Sequence, residues 1–166
     1  MRIEPQELAV LLNQHSAHLA LYAAQWTRQS EDCVQESFVE LATQTNRPTN
    51  PIAWLYSVVR NRAINQSRSD QRRKQREQQL AKPDWEASQV DHELQNVEQQ
   101  SELVVALDSL SRQEREWVIL RIWSGLTWDE IASITSTSSS SAQRNYASAL
   151  KKMRTHLESK CLTNPD

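Results

Sequence analysis

The chain predicts an all-α fold: two small helical domains joined by an acidic linker. Three observations carry this. Gly occurs once in 166 residues, at Gly125, and Pro five times, too few for the turns of a sheet protein. Apolar residues recur at helical spacing in several separate stretches. Between two of those stretches, from Pro83 to Leu110, stand seven acids (Asp84, Glu86, Asp91, Glu93, Glu98, Glu102 and Asp108) and no Lys or Arg. A chain of this length can form one domain or two with modest cores, but not a large enzyme fold. Phosphate-cradling loops need several glycines together, so that class is excluded as well.

The first helix is expected from Leu8, Leu11, Leu12, His15, Leu19 and Tyr22, continuing to Trp26. Ser30 to Asp32 reads as a new start, with acids in the first turn where the helix dipole favours them. Its apolar face would hold Cys33, Val34, Phe38 and Leu41. The segment TQTNRPTNP, Thr43 to Pro51, has two prolines and two asparagines and must be a loop. Ile52 then opens a long helix whose buried side would carry Trp54, Leu55, Val58, Val59 and Ala63. Beyond Ile64 the apolar residues stop and a charged, glutamine-rich tail follows, ended by Pro83. These elements make a first domain, 1–82, followed by the acidic linker, 83–101, with some helix in its second half.

A second domain is expected over 102–160. Ser111 with Glu114, and Thr127 with Glu130, have the spacing of capping boxes. They place helices over about Arg112–Ser124 and Trp128–Ile134, with Gly125 at a stop that calls for a positive φ. Ser138 or Ser139 would cap a last helix running to about Glu158, and KCLTNPD would be a frayed tail. Trp117, Leu120, Ile131, Ile134, Ala142, Tyr146, Ala149 and Met153 recur at spacings that close a small three- or four-helix core.

Two short helices joined by a tight turn, with basic charge only on the second, form a helix-turn-helix pattern, in which the second helix presents side chains to the DNA major groove. Its exposed face carries Ser139, Ser140, Gln143, Arg144, Ala147 and Ser148, followed by Lys151, Lys152 and Arg154. Gln and Arg can each make paired hydrogen bonds to a purine edge, while lysines suit phosphate. The alternative is an ordinary amphipathic helix with a solvated face.

Net charge is −2, which alone argues against nucleic acid. Its distribution does not. Between Arg60 and Arg76 stand seven bases (Arg60, Arg62, Arg68, Arg72, Arg73, Lys74 and Arg76) against Asp70 alone. As a mere solvated helix such a run would repel itself; as a track for a strand it would make binding steeply salt-dependent. Trp54 and Tyr56 precede it, and Arg60, Asn61, Arg62, Asn65 and Arg68 follow at helical spacing, as a surface for unstacked bases would need. Core packing is the competing role for both aromatics.

Enzyme chemistry finds no support. His15 and His18 lie three apart on one helix, while His92 and His156 are isolated. No carboxylate–histidine spacing suggests a metal site, and no Ser or Cys sits in a nucleophile motif. No metal or cofactor is expected. Cys33 and Cys161 have no CxxC or histidine neighbour and are expected to be reduced thiols. No apolar run approaches the roughly 18 residues of a membrane span, and MRIEPQELAV lacks a signal peptide's apolar core. A soluble, cytoplasmic protein with no membrane association is expected.

Three segments give the chain its resemblance to a family: EDCVQESFVEL (Glu31–Leu41), AWLYSVVRNRAIN (Ala53–Asn65) and LDSLSRQEREWVILRIWSGLTWDEIASI (Leu107–Ile134). In this order and spacing they resemble bacterial extracytoplasmic-function (ECF) sigma factors, the small two-domain initiation subunits of RNA polymerase. The match runs from about Leu8 to Leu157, broken by the linker. The resemblance implies a region 2-like first domain, and a second domain with a helix-turn-helix of the winged-helix-like region 4 type. It implies docking of Asp32, Gln35, Glu36 and Val39 on the clamp helices of the polymerase largest subunit. The loop from Thr43 to Asn50 and the helix after it would recognise and open the minus-ten element, with Trp54, Arg60, Asn61, Arg62, Asn65 and Arg68 on or behind that surface. The linker's carboxylates would stand in for phosphates in the channel that later carries RNA.

By the same resemblance, Ser139, Ser140, Gln143, Arg144, Ala147, Ser148, Lys151 and Lys152 would face the minus-thirty-five element, and their domain would touch the flap of the second-largest subunit. Promoter DNA, core polymerase and an anti-sigma factor are the implied partners. Two departures stand out. Ser136 and Thr137 replace the family's usual turn glycine and following apolar residue, and Ala147 and Ser148 replace basic positions of the reading helix, which implies a weaker or differently specified minus-thirty-five contact. A stand-alone helix-turn-helix regulator, or a sigma-like decoy that holds polymerase or an anti-sigma factor without opening DNA, are the alternatives. The former leaves the arginine run and the docking segment without a role.

Overall fold

The structure is a computed structural model and describes residues 2–80 and 102–161. The acidic linker, 83–101, and the last five residues of the tail lie outside the described residues. Seven helices are described: α1 (Pro5–Ala23), α2 (Ser30–Thr43), α3 (Pro51–Leu80), α4 (Glu102–Asp108), α5 (Arg112–Trp123), α6 (Trp128–Thr135) and α7 (Ser139–Cys161).

Helix α1 begins with Pro5 in its first turn, where the missing N–H costs nothing and φ is already set. Leu11, His15, Leu19 and Tyr22 come round to one side every three or four residues and are buried there. In α2 the acids Glu31 and Asp32 occupy the first turn. Its start is not capped by a side chain: Gln29 is the cap residue, and its N–H donates to Thr27 Oγ1 at 3.1 Å. Cys33, Val34, Phe38 and Leu41 are buried. Helix α3 is set by Asn50, whose Oδ1 accepts from the N–H groups of Ile52 (3.0 Å) and Ala53 (3.2 Å), with Pro51 at the first helical position. Its 30 residues rise about 45 Å. The inner half packs through Leu55, Tyr56, Val59 and Ala63, all fully buried. The outer half stands clear, with every residue from 71 to 79 exposed.

In the second half of the chain both capping boxes form. Ser111 Oγ accepts from the Glu114 N–H, and the Glu114 carboxylate accepts from the Ser111 N–H. Thr127 and Glu130 repeat the arrangement at α6. Gly125 takes φ +68°, and Ser136 takes φ +55° at the turn between α6 and α7. Ser138 caps α7, its Oγ accepting from the Ser141 N–H at 3.2 Å. Helix ends differ from the sequence expectation by up to three residues, within the fraying expected of terminal turns.

Helices α1, α2 and α3 pack together, as do α4 to α7, and α1 also meets α5 while α3 meets α6. The hydrophobic interior therefore departs from two self-contained cores. One cluster joins Leu19, Tyr22, Trp26, Leu55 and Val59 to Trp117, Leu120, Leu126 and Ile131. Ala149 and Met153 leave that set for a second cluster with Ala106, Leu107, Leu110 and Val118. Each half alone is too small to bury much apolar surface, and packing against the other half covers more of it.

Candidate nucleic-acid interface

The second-half surface follows from the brace of α6 against α7. Ala142, Ala149 and Met153 face inward. Ser140, Gln143, Arg144, Ala147, Ser148, Lys151 and Lys152 therefore face solvent, with Ser139 half-buried beside them. Tyr146 stacks edge-on against Trp128 at 5.3 Å between centroids, which fixes the crossing of the two helices. Arg121 lies over the same bracing aromatic, 4.6 Å from the Trp128 ring centroid, and donates to the Leu126 carbonyl at 2.7 Å. Arg144 donates to Ser141 Oγ at 3.4 Å and has no ion pair among the described residues. Lys152 is held by Glu114. The face is thus one long polar strip with Gln143 and Arg144 near its start and lysines further along. Such a strip can reach base edges first and phosphates after.

The first-half surface is more divided. Asn61, Asn65 and Arg68 are exposed on α3, and Arg72, Arg73, Lys74 and Arg76 extend it along the free half of the helix. Trp54 is half-buried and packs against the shared core. Tyr56 is fully buried, so it serves packing, and burial pushes its phenol up. The expectation of an uncompensated arginine run fails at its first two members. Arg62 bridges Glu36 at 2.8 Å and also reaches Glu40, tying α3 to α2. Arg60 Nε donates to Glu116 of α5 at 2.6 Å. Repulsion within the run is lowered by carboxylates distant in sequence, which spacing along one helix does not reveal.

Sequence reasoning also missed Glu116 and its pairing with Tyr22. Glu116 is 4% exposed, and its Oε1 accepts from Tyr22 O–H as well as from Arg60, both at 2.6 Å. Burial drives the Tyr22 phenol well above its ordinary value, and the Glu116 charge and hydrogen bond add to this. For Arg60 burial works against the charge, yet the hydrogen bond and charge of Glu116 outweigh it and leave the guanidinium above its ordinary value. Its plane lies over Trp26 at 5.8 Å.

On α2 the docking candidates share one face. Asp32, Gln35, Glu36 and Val39 are all exposed at spacings of three, one and three, and Val39 is 63% exposed. A half-acidic strip with a bare apolar side chain at its end suits a basic partner surface with an apolar seat. No helix among the described residues is long and apolar enough to cross a membrane.

Comparison with known proteins converges on one family. Residues 11–73 match the model of Sigma-70 region 2, and residues 100–153 that of Sigma-70, region 4; together they span more than half of the chain. The ECF RNA polymerase sigma factor SigK of Mycobacterium ulcerans is 26% identical over 135 residues, covering 78% of this chain and 72% of that protein. Among solved structures, the sigma factor RpoE in complex with the anti-sigma factor NepR from Bartonella quintana is similar, with a TM-score of 0.62 and 21% identity over 92% of this chain and 95% of that one. CnrH in complex with the cytosolic domain of CnrY has a TM-score of 0.55 and 18% identity over 94% of this chain and 90% of that one. At such identities these two establish a shared fold.

Proposed function

This chain belongs to the sigma-70 family, with the two-region organisation of ECF sigma factors, and we propose the division of labour by which it binds core RNA polymerase and directs promoter recognition and initiation. The observation that carries the proposal is the presence of both regions, in order, each with an exposed face of suitable chemistry.

Docking falls to the α2 strip of Asp32, Gln35, Glu36 and Val39. Recognition of the minus-thirty-five element falls to α7. Gln143 and Arg144 meet base edges, Ser139, Ser140, Ala147 and Ser148 keep the approach close, and Lys151 and Lys152 meet phosphates. The minus-ten strand lies against α3, with Asn61, Asn65 and Arg68 on it and Trp54 and Arg60 at its inner border. Arg62 both borders this surface and anchors α3 to α2. The linker, 83–101, spans the distance between the promoter elements. The protein acts in the cytoplasm and contributes binding and strand separation, without catalysis of its own. Both solved neighbours are held by a protein partner, and we extend to this chain a restraining anti-sigma partner.

Run-off transcription with purified core enzyme on a pool of genomic fragments tests the proposal. Discrete transcripts that require this subunit are expected. A decoy would co-purify with core and yield none, and a stand-alone regulator would shift duplex DNA without core.

A further inference from the structure

We infer that Tyr22, Trp26 and Arg60 form an anion site for a backbone phosphate of the promoter strand, and that Glu116 fills this site from within the chain while the two halves are packed together. The inference rests on the assignment of α3 to the minus-ten strand.

A carboxylate buried as deeply as Glu116 is destabilising unless it is paired and hydrogen-bonded. Here one oxygen, Oε1, takes both donors, the Tyr22 phenol and the Arg60 guanidinium, each at 2.6 Å. Both donors belong to the first half of the chain and the acceptor to the second. Trp26 backs the guanidinium from one side and meets Tyr22 edge-on at 5.2 Å. Tyr22 in turn meets the buried Tyr56 at 5.3 Å. These rings hold the donors in place independently of Glu116. A phenol O–H and a guanidinium N–H converging on one oxygen are what a phosphate oxygen requires, and charge-assisted bonds of this kind are among the strong ones.

The position of the site makes that phosphate a nucleic-acid one. Arg60 opens the basic run of α3 and adjoins Asn61, from which Asn65, Arg68, Arg72 and Arg76 continue along the helix, all exposed. A strand laid along that track reaches Arg60 at its inner end, where Glu116 now sits. Carboxylate and phosphate then compete for a single seat. Separation of α5 from α1 and α3 removes the carboxylate and leaves the seat free. In this arrangement strand binding and domain separation favour each other, because each ligand of a shared site shifts the equilibrium by its own differential affinity.

The test is anisotropy of a fluorescein-labelled oligothymidylate with the full chain at low salt, in the absence of polymerase. Glu116→Gln, which keeps the shape and removes the charge, is expected to tighten binding about fivefold or more, and adding Arg60→Ala is expected to abolish that gain. Glu31→Gln, at an exposed carboxylate with no ion pair among the described residues, serves as the control for net charge and is expected to give little gain. Equal affinity for Glu116→Gln and the wild type, a gain that survives Arg60→Ala, or an equal gain from Glu31→Gln overturns the inference. If Glu116→Gln does not fold, His18→Ala carries the same test. It removes the stack on Trp123, 5.7 Å between centroids across the same interface, and leaves the site's own groups intact. Run-off transcription separates the two readings: transcripts without a Glu116→Gln gain defeat the anion site alone, and a gain without transcripts defeats the initiation role alone.

Discussion

Asn50 and Glu130 face each other across the two halves of the chain, the Asn50 amide donating to Glu130 Oε1 at 2.6 Å. Each also organises a helix start on its own side, Asn50 at α3 and Glu130 at α6. The loop that precedes α3 is thereby fastened to the helix that braces α7. Asn50→Ala removes both functions, and the lost cap alone costs about 1 kcal/mol. Asn50→Ser keeps a cap and loses the bond to Glu130. Urea denaturation should rank wild type, then Asn50→Ser, then Asn50→Ala; equal midpoints for the wild type and Asn50→Ser would show the bond to Glu130 to be worth nothing.

The turn at Ser136 is the second place where a specific substitution has a specific sign. Its φ of +55° is left-handed, a region that costs an L-residue about 1–2 kcal/mol, and the N–H groups of Ser136 and Thr137 both bond the Ala132 carbonyl. Ser136→Gly relieves the strain and gives back part of the gain in unfolded-chain entropy. A net stabilisation of roughly 0.5–1 kcal/mol is expected, read as a raised melting temperature. Gly125→Ala should go the other way by about as much: φ there is +68°, and an added Cβ meets nothing within 4 Å, so the cost is purely one of backbone conformation.

Local rules explain which features the sequence revealed. Ser111 with Glu114, Thr127 with Glu130, and Gly125 are signals confined to four or fewer residues, and each corresponds to a bond or a φ in the structure. The polar strip of α7 was legible for the same reason, since 3.6-residue periodicity decides which side chains face out. Glu116 was not legible. In RQEREWV it has the look of one more solvated charge, and its two partners lie 94 and 56 residues away. The full burial of Tyr56 and the ion pairs of Arg62 were hidden in the same manner, because pairing and burial between α2, α3 and α5 depend on tertiary packing rather than on spacing.

Acid should loosen the fold in two separable steps. Burial, reinforced by the nearby His18, holds the His15 imidazole below its ordinary value. A lowered histidine contributes stability above pH 6.5, and that contribution is lost as pH falls through 6.5 toward the depressed value. The second step comes lower. The Lys152 ammonium and the Ser111 N–H depress Glu114, and the Thr127 N–H, with Asn50 adding to it, depresses Glu130. Both carboxylates contribute above the ordinary carboxylate range and lose that contribution below it. Melting temperature against pH should therefore bend below 6.5 and again below 4.5. His15→Phe should remove the upper bend only, and Glu114→Gln with Glu130→Gln should flatten the lower.

Promoter choice and polymerase affinity should separate at Arg144. The side chain is exposed and has no ion pair among the described residues, so Arg144→Ala removes no packing and stability should hold within about 0.5 kcal/mol. Loss of a paired contact to a purine edge, about 1–3 kcal/mol, should lower use of the best promoters by roughly tenfold or more in run-off assays. Core affinity should be unchanged. A fall in core affinity instead would move Arg144 from the DNA surface to the polymerase surface.

Val39 offers the sharpest test of docking, because its neighbours are compromised as probes. Glu36 is bonded to Arg62, so reversing its charge disturbs the α2–α3 contact along with any external one. Val39 is 63% exposed, so Val39→Lys should leave folding stability nearly untouched. An apolar side chain seated at the centre of an interface is worth about 1–2 kcal/mol or more, and a lysine there adds repulsion from a basic partner surface. Association with core polymerase should weaken by roughly tenfold or more, and Asp32→Lys on the same strip should slow association mainly at low salt, as a steering charge does. If both variants bound core as tightly as the wild type at every ionic strength, α2 would have to be turned away from the polymerase, and the task of docking would pass to another face of the first domain.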